Sequence, residues 1–289
     1  MDGLLLDTED LYTECVNIIL ERYGKPNLPW SIKAKLQGRP GPSANKIFHD
    51  WADLPITQEE YVAQNSALQK NLFPTTKPLP GVVDLLASLG RTRYWDLKGQ
   101  DAATAAKTQR VHIALATSSH AANFKIKTSH LTELFSVFPT QRRVLGDDTR
   151  LKAGRGKPLP DIFLLALKTI NDSLGPNEEP IKPEECLVFE DSVPGVEAGR
   201  RAGMRVVWCP HPMLKKEYTG RESEVLAGRT GEGGDVDLHQ LGEVDDGWAE
   251  YMLNLEGFPY EKYGIVVPPI EVEEEECMKE KNEDIVAVA

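Results

Sequence analysis

The chain has 289 residues, 40% of them hydrophobic, and its 33 Lys and Arg face 45 Asp and Glu for a formal net charge of -12. That acidic balance argues against a nucleic-acid partner, whose phosphates it repels, and against an anionic membrane surface. The length allows about two domains with a sizeable core, directed at small molecules. Four scattered cysteines, Cys15, Cys186, Cys209 and Cys277, suit a reducing compartment rather than a zinc site or a disulfide framework. No apolar run nears membrane-spanning length and no signal-peptide core follows the N-terminus, so a cytoplasmic, and also nuclear, location is expected. Oligomeric state stays open, and a monomer would suffice.

In chain order, the apolar run Leu4 to Leu6 lies between Asp2-Gly3 and Asp7-Thr8, like a loop leaving a strand that does not come before it. Asp7 or Thr8 is expected to cap a helix whose stripe Leu11, Cys15, Ile18, Ile19 and Tyr23 has helical spacing before Gly24. Further helices are expected over Trp30 to Leu36, Ala44 to Trp51 and Gln58 to Leu72. Val82 to Leu89 reads as helix, and the polar stretch 91–109 as an exposed insertion. Val111 to Ala116 has a buried-strand pattern, and Phe135, Val137 and Phe138 suggest another strand. A helix over Asp161 to Ile170 follows the turn Gly154 to Lys157. Leu187 to Phe189 reads as a strand, Val196 to Ala202 as a helix, and Arg205 to Cys209 as a final strand. Asp237 to Glu256 can hold a short helix, and the Glu-rich tail is expected to be solvated and disordered. There is no internal repeat.

Three features fall at strand ends in alternating α/β order, the edge where such sheets bind ligands: Thr117, Lys157, and the pair Glu190-Asp191. Singly, each has a plain structural reading, as a helix cap, a solvated turn residue and a capped turn. Two adjacent carboxylates about 4 Å apart repel by about 4 kcal/mol at an effective dielectric near 20, so a cation belongs beside them, and oxygen ligands suit magnesium. Gly154 to Lys157 is not a Walker motif, because Pro158 stands where Ser or Thr should bind magnesium. Together the features describe a phosphoryl-transfer site, with a hydroxyl and a lysine for phosphate oxygens and an acidic pair for the metal.

With these residues in place, the sequence resembles the haloacid dehalogenase-like hydrolase superfamily. Within it the resemblance is to phosphatases and phosphosugar mutases with a helical cap, the branch of pseudouridine-5'-phosphatase and its fungal relatives. MDGLLLDTE is similar to the first motif, ALATSS (Ala114 to Ser119) to the second, GRGKPLPDIFLLA (Gly154 to Ala166) to the third, and VFEDSVPGVEAGRRAGM to the fourth. The resemblance implies an α/β fold, a doubly wound, mostly parallel sheet (Rossmann-like core) with a small inserted helical cap domain. The domains would be 1–9 as the start of the core, 10–77 as cap, 78–228 as core with the insertion 91–109, 229–264 as a C-terminal extension packed on the core, and 265–289 as the acidic tail.

It also implies roles. Thr117 would hydrogen-bond the phosphoryl group and Lys157 would neutralise it. Asp191 would ligate Mg2+, with Glu190 beside it or acting through water, and Asp2 would be the general acid/base, with its carbonyl touching the metal. Ser118, Gly38 and Arg39 would contact a small phosphorylated metabolite, a sugar or nucleoside phosphate. One departure matters. The family's first motif is Asp-x-Asp-Gly, whose first Asp is the nucleophile; here Met1 holds the middle position, so that Asp and the strand delivering it are expected upstream of the sequence as given. The resulting expectation is a magnesium-dependent phosphomonoesterase acting through an aspartyl-phosphate. The alternatives are an inactive phosphate- and metal-binding or regulatory protein of the same fold and, less favoured, a phosphosugar mutase.

Overall fold

The computed structural model describes residues 1–92, 111–176, 178–231 and 241–268. Most of the expected insertion (93–109) and of the acidic tail (269–289) therefore lies outside the described residues. By its internal contacts the chain separates into one unit of residues 1–86 and 112–258, which holds all the candidate residues, and another of 87–111 and 259–289. In the latter, the described part includes a 3-10 turn at Tyr260–Tyr263 followed by Gly264 at φ +69°.

Four helices come first: α1 (Glu9–Arg22), α2 (Trp30–Leu36), α3 (Gly41–Ala52) and α4 (Gln58–Leu72). α1 carries Glu9 and Asp10 in its first turn, where the helix dipole favours negative charge, and buries Cys15, Val16, Ile19 and Leu20. α4 starts on a capping box, Thr57 accepting from the Glu60 amide while Glu60 accepts from the Thr57 amide. These helices share a core of their own, built on Ile19, Leu20, Phe48 and Tyr61. The expected Thr8 cap of α1 does not form. Its hydroxyl instead closes the preceding turn, accepting from the Gly3 amide at 3.1 Å and donating to the Leu6 carbonyl at 3.4 Å.

After α5 (Val82–Thr92) comes the α/β part: β1 (Leu115–Ala116), α6 (Ala121–Thr128), α7 (Thr132–Phe135), β2 (Arg143–Val144), α8 (Asp161–Asn171), β3 (Leu187–Glu190), α9 (Val193–Arg201), β4 (Arg205–Trp208), α10 (Pro212–Glu217), α11 (Glu222–Ala227) and β5 (Ala249–Tyr251). Every registered strand pair is parallel: β1 with β2, β3 with β4, and β4 with β5. The second core lies on these strands and on α8 and α9, with Val144, Phe163, Val188, Val196, Val206 and Trp208 at its centre.

Three expectations are corrected. Strand β1 is two residues rather than Val111 to Ala116, because its partner β2 is equally short. Phe135 ends a helix and Phe138 lies in a turn, their rings packing with Phe124 as an aromatic cluster (centroids 5.8 and 6.0 Å apart), so a helical turn buries what a strand was expected to bury. In the span expected to hold a helix, residues 249–251 add a strand to the outer edge of β4, Ala249 opposite Val206, because an unpaired edge offers backbone partners that a short helix cannot use.

The strands form two sheets, β1-β2 and β3-β4-β5. Among the described residues β1 pairs only with β2, and β3 only with β4. Residues 1–6 do not bridge them. They fold into a turn in which the amides of Leu5 and Leu6 both reach the Met1 carbonyl (2.9 and 3.1 Å).

Candidate active site

Each candidate residue is delivered by the end of an element. Thr117 follows β1, tied to β2 by its amide to the Val144 carbonyl (3.0 Å), and its hydroxyl accepts from the Ser119 amide (3.2 Å). Glu190 ends β3 and Asp191 follows it. Ser192 caps α9, its hydroxyl accepting from the Gly195 amide at 3.2 Å. A side chain at Gly195 would collide with the Glu190 carboxylate, so this cap demands glycine there. Lys157 stands in the loop before α8. Gly3 has φ +66°, and a Cβ there would run into the Asp191 carboxylate and the side chain of Glu9, which holds the turn of Asp2 against β3's end.

A cavity of about 380 Å³ is lined by Asp2, Gly38, Arg39, Thr117, Ser118, Lys157 and Asp191 together. Glu190 lies behind that wall: it pairs with the Lys157 ammonium and accepts from the Ser192 hydroxyl at 3.0 Å. Burial alone would raise the Glu190 pKa, but the charges of Lys157 and the Met1 amino group and the hydrogen bonds from Lys157 and Ser192 together hold this carboxyl below its ordinary value. Asp191 has no such partner. Burial, then the charges of Glu190 and Glu9, push its pKa up to about 8, and its side chain accepts from the Gln37 amide at 2.5 Å. The Met1 amino group is buried beside it, and burial lowers its pKa against the opposing pull of Asp191.

Five residues escaped sequence reasoning. Lys127, on α6, is wholly buried and donates to the Asp2 carboxylate (2.6 Å), the Ser119 hydroxyl (2.9 Å) and the Tyr12 hydroxyl (3.2 Å). Burial would raise the Asp2 pKa, yet Lys127, the Met1 amino group and the Thr8 hydroxyl together lower it. Lys33 on α2 binds Glu9 (3.2 Å to its carboxylate) and Thr13 (2.6 Å), tying α2 to the start of α1. Gln37 joins the α2–α3 loop to Asp191, and Gly38 in the same loop accepts from the Ser118 hydroxyl through its carbonyl (3.2 Å). Asn65 and Gln69 on α4 line the cavity. No local signal exposes Lys127, whose role depends on contacts 125 and 115 residues away. Gln37 could have been suspected from its place beside Gly38.

Replacing Lys127 by Met removes the cation facing a partly buried carboxylate, and breaking such a pair from one side costs on the order of 3 kcal/mol. Urea unfolding of the variant is expected to show that loss; unchanged stability would remove Lys127 from the account of Asp2.

Known proteins resemble the chain in sequence and fold. The family model for haloacid dehalogenase-like hydrolases matches residues 1–203. A Saccharomyces cerevisiae protein named a probable pseudouridine-5'-phosphatase is 45% identical over 229 residues, covering 79% of this chain and 87% of that one. The mitochondrial (DL)-glycerol-3-phosphatase 1 of Arabidopsis thaliana is 37% identical over 229 residues, 78% of this chain and 67% of that one. Among solved structures, a haloacid dehalogenase-like protein of Agrobacterium tumefaciens superposes with TM-score 0.55 at 18% identity, over 91% of this chain and 95% of that one, a likeness of fold.

Proposed function

Because the chain belongs to the haloacid dehalogenase-like hydrolases, whose model spans residues 1–203, we propose that its site is that of a magnesium-dependent phosphomonoesterase for small phosphorylated metabolites. The observation that carries this reading is one cavity lined at once by Asp2, Thr117, Ser118, Lys157 and Asp191. The relatives named for pseudouridine-5'-phosphate and glycerol-3-phosphate hydrolysis support the substrate class.

The donor set fits magnesium. Asp191 is a buried carboxylate whose neighbours Glu190 and Glu9 are also acidic, so it favours a cation. Among the described residues no group of three His, Cys, Asp or Glu could hold a metal, but magnesium is ordinarily held by one or two carboxylates plus waters and phosphate oxygens. Asp191 would hold it, with the Asp2 carbonyl. The ion would neutralise charge on the phosphoryl oxygens and orient them. Thr117 and Ser118 would donate hydroxyls to those oxygens, while Lys157, fixed by Glu190, would present an ammonium to the same group. Asp2, held by Lys127, would give a proton to the leaving alcohol and take one from the attacking water. The carboxylate that would form the aspartyl-phosphate corresponds to the position before Met1 in the motif and is not among residues 1–289.

A second reading, in which the 289 residues bind metal and phosphate without turnover, is favoured by Lys127, which already engages the Asp2 carboxylate. Both readings require the metal site. Magnesium titration by calorimetry is expected to show Asp191→Asn binding at least tenfold more weakly than the parent, and equal affinities would refute the assignment.

A further inference from the structure

The helix α4 turns amides, rather than leucines, towards the cavity. Tyr61, Asn65 and Gln69 follow one another at four-residue spacing and so share one face, and Ser66 stands beside them on the lining. Such side chains in a cavity wall are costly unless they find hydrogen-bond partners. Gln69 is buried and accepts from the Asn123 amide at 3.1 Å, and Asn123, on α6, also lines the cavity. The Asn65 side-chain oxygen is buried without a hydrogen-bond partner. The α4 lining carries no charge, whereas the cavity's lysines are each matched by a carboxylate: Lys33 by Glu9, and Lys157 by Glu190. Arg39 is on the α2–α3 loop, its Nε donating to the Lys35 carbonyl.

Neutral amides and a hydroxyl can both give and accept hydrogen bonds, which suits alcohol groups. A carboxylate or second phosphate would find no cation on α4 and would lie in a cavity that already holds Asp2, Glu9 and Asp191. We propose that Asn65, Ser66 and Gln69, with Asn123, form a hydroxyl-reading patch that selects phosphomonoesters of uncharged polyhydroxy alcohols, such as sugar or polyol phosphates, over those bearing a second anionic group. This rests on the phosphomonoesterase reading above.

The test uses the 289-residue chain in magnesium, with binding measured by calorimetry. Inorganic phosphate reads the phosphate site alone; ribose 5-phosphate adds hydroxyls; phosphoglycolate adds a carboxylate; fructose 1,6-bisphosphate adds a second phosphate. Ribose 5-phosphate is expected to bind about tenfold more tightly than inorganic phosphate, the worth of one or two net hydrogen bonds, and the two competitors with a second anionic group no more tightly than inorganic phosphate. Asn65→Leu and, at an exposed position where folding is not at stake, Ser66→Ala should each shrink the ribose 5-phosphate advantage at least threefold. Tighter binding of phosphoglycolate or the bisphosphate, or an advantage that survives both substitutions, overturns the patch while the phosphate site stands. Absence of inorganic phosphate binding overturns the phosphomonoesterase reading and the patch with it.

Discussion

Joining an apolar five-residue strand that ends in Asp-Met to Asp2, so that the first motif reads Asp-Met-Asp-Gly, is expected to raise phosphate release from small phosphomonoesters to a turnover on the order of 1–100 per second, above that of residues 1–289 alone. Three observations meet here. Thr117 at the end of β1 and Asp191 at the end of β3 line one cavity, Met1 and Asp2 line it with them, and β1 and β3 lack a common partner among the described residues. A strand running into Met1 would arrive between those two ends, and its last Asp would sit two residues before Asp2. Asp2 is a poor substitute, because two residues of extended chain span roughly 6–7 Å while in-line attack tolerates far less than 1 Å, and because Lys127 already holds its carboxylate. The same strand should raise stability by about 1.5–3 kcal/mol for each Leu, Ile or Val it buries. Phosphate release and urea unfolding would be measured side by side, with an Asp→Asn version of the added strand as control. Turnover by residues 1–289 alone, lost in Asp2→Asn, would sink the argument.

Helix positions and strand-end chemistry were legible because they are written locally. The spacing of apolar residues set α2 and α4 within the expected bounds, and α8 to within a residue. The break from Phe189 to Glu190, Asp191 and Ser192 marked the end of β3 that meets the cavity. What was illegible depends on distant partners. The length of β1 is decided by β2, the strand at Ala249–Tyr251 by the free edge of β4, and the place of Lys127 by Asp2 and Tyr12. Asn65 and Gln69 read as ordinary polar residues of a surface helix until the cavity shows which face they share. The two members of the acidic pair face differently: Glu190 pairs with Lys157 and lies behind the cavity wall, while Asp191 lines it. Adjacent residues at a strand end point to opposite faces, so a doublet there divides its labour.

On the proposed magnesium reading, that division is expected to make the affinity for the ion steeply pH-dependent. Asp191, raised to about 8 by burial and by Glu190 and Glu9, is expected to hold a proton at neutral pH without metal. Binding a cation must expel that proton, so apparent affinity should fall about tenfold for each pH unit below about 8 and level off above it. Between pH 8 and pH 6 the expected loss is about a hundredfold. The sign for stability follows. A carboxyl whose folded pKa lies above its unfolded value contributes stability at low pH that is lost as pH rises towards about 8, so the metal-free protein should soften over that interval and magnesium should restore it. Asp2 and Glu190, both lowered, act in the opposite sense, but only as acid takes pH down through the ordinary carboxylate range, below the Asp191 window. The Met1 amino group faces the same carboxylate, and a bound cation would disfavour its proton as well, so the proton released belongs to the pair. Calorimetry at pH 7 in buffers of different ionisation enthalpy should count about one proton released per magnesium. Affinity that is flat from pH 6 to 9, with no proton released, would mean that magnesium does not use Asp191. In the chain extended through Met1 the amino group becomes a peptide amide, so a pH dependence that persists there assigns the proton to Asp191 itself.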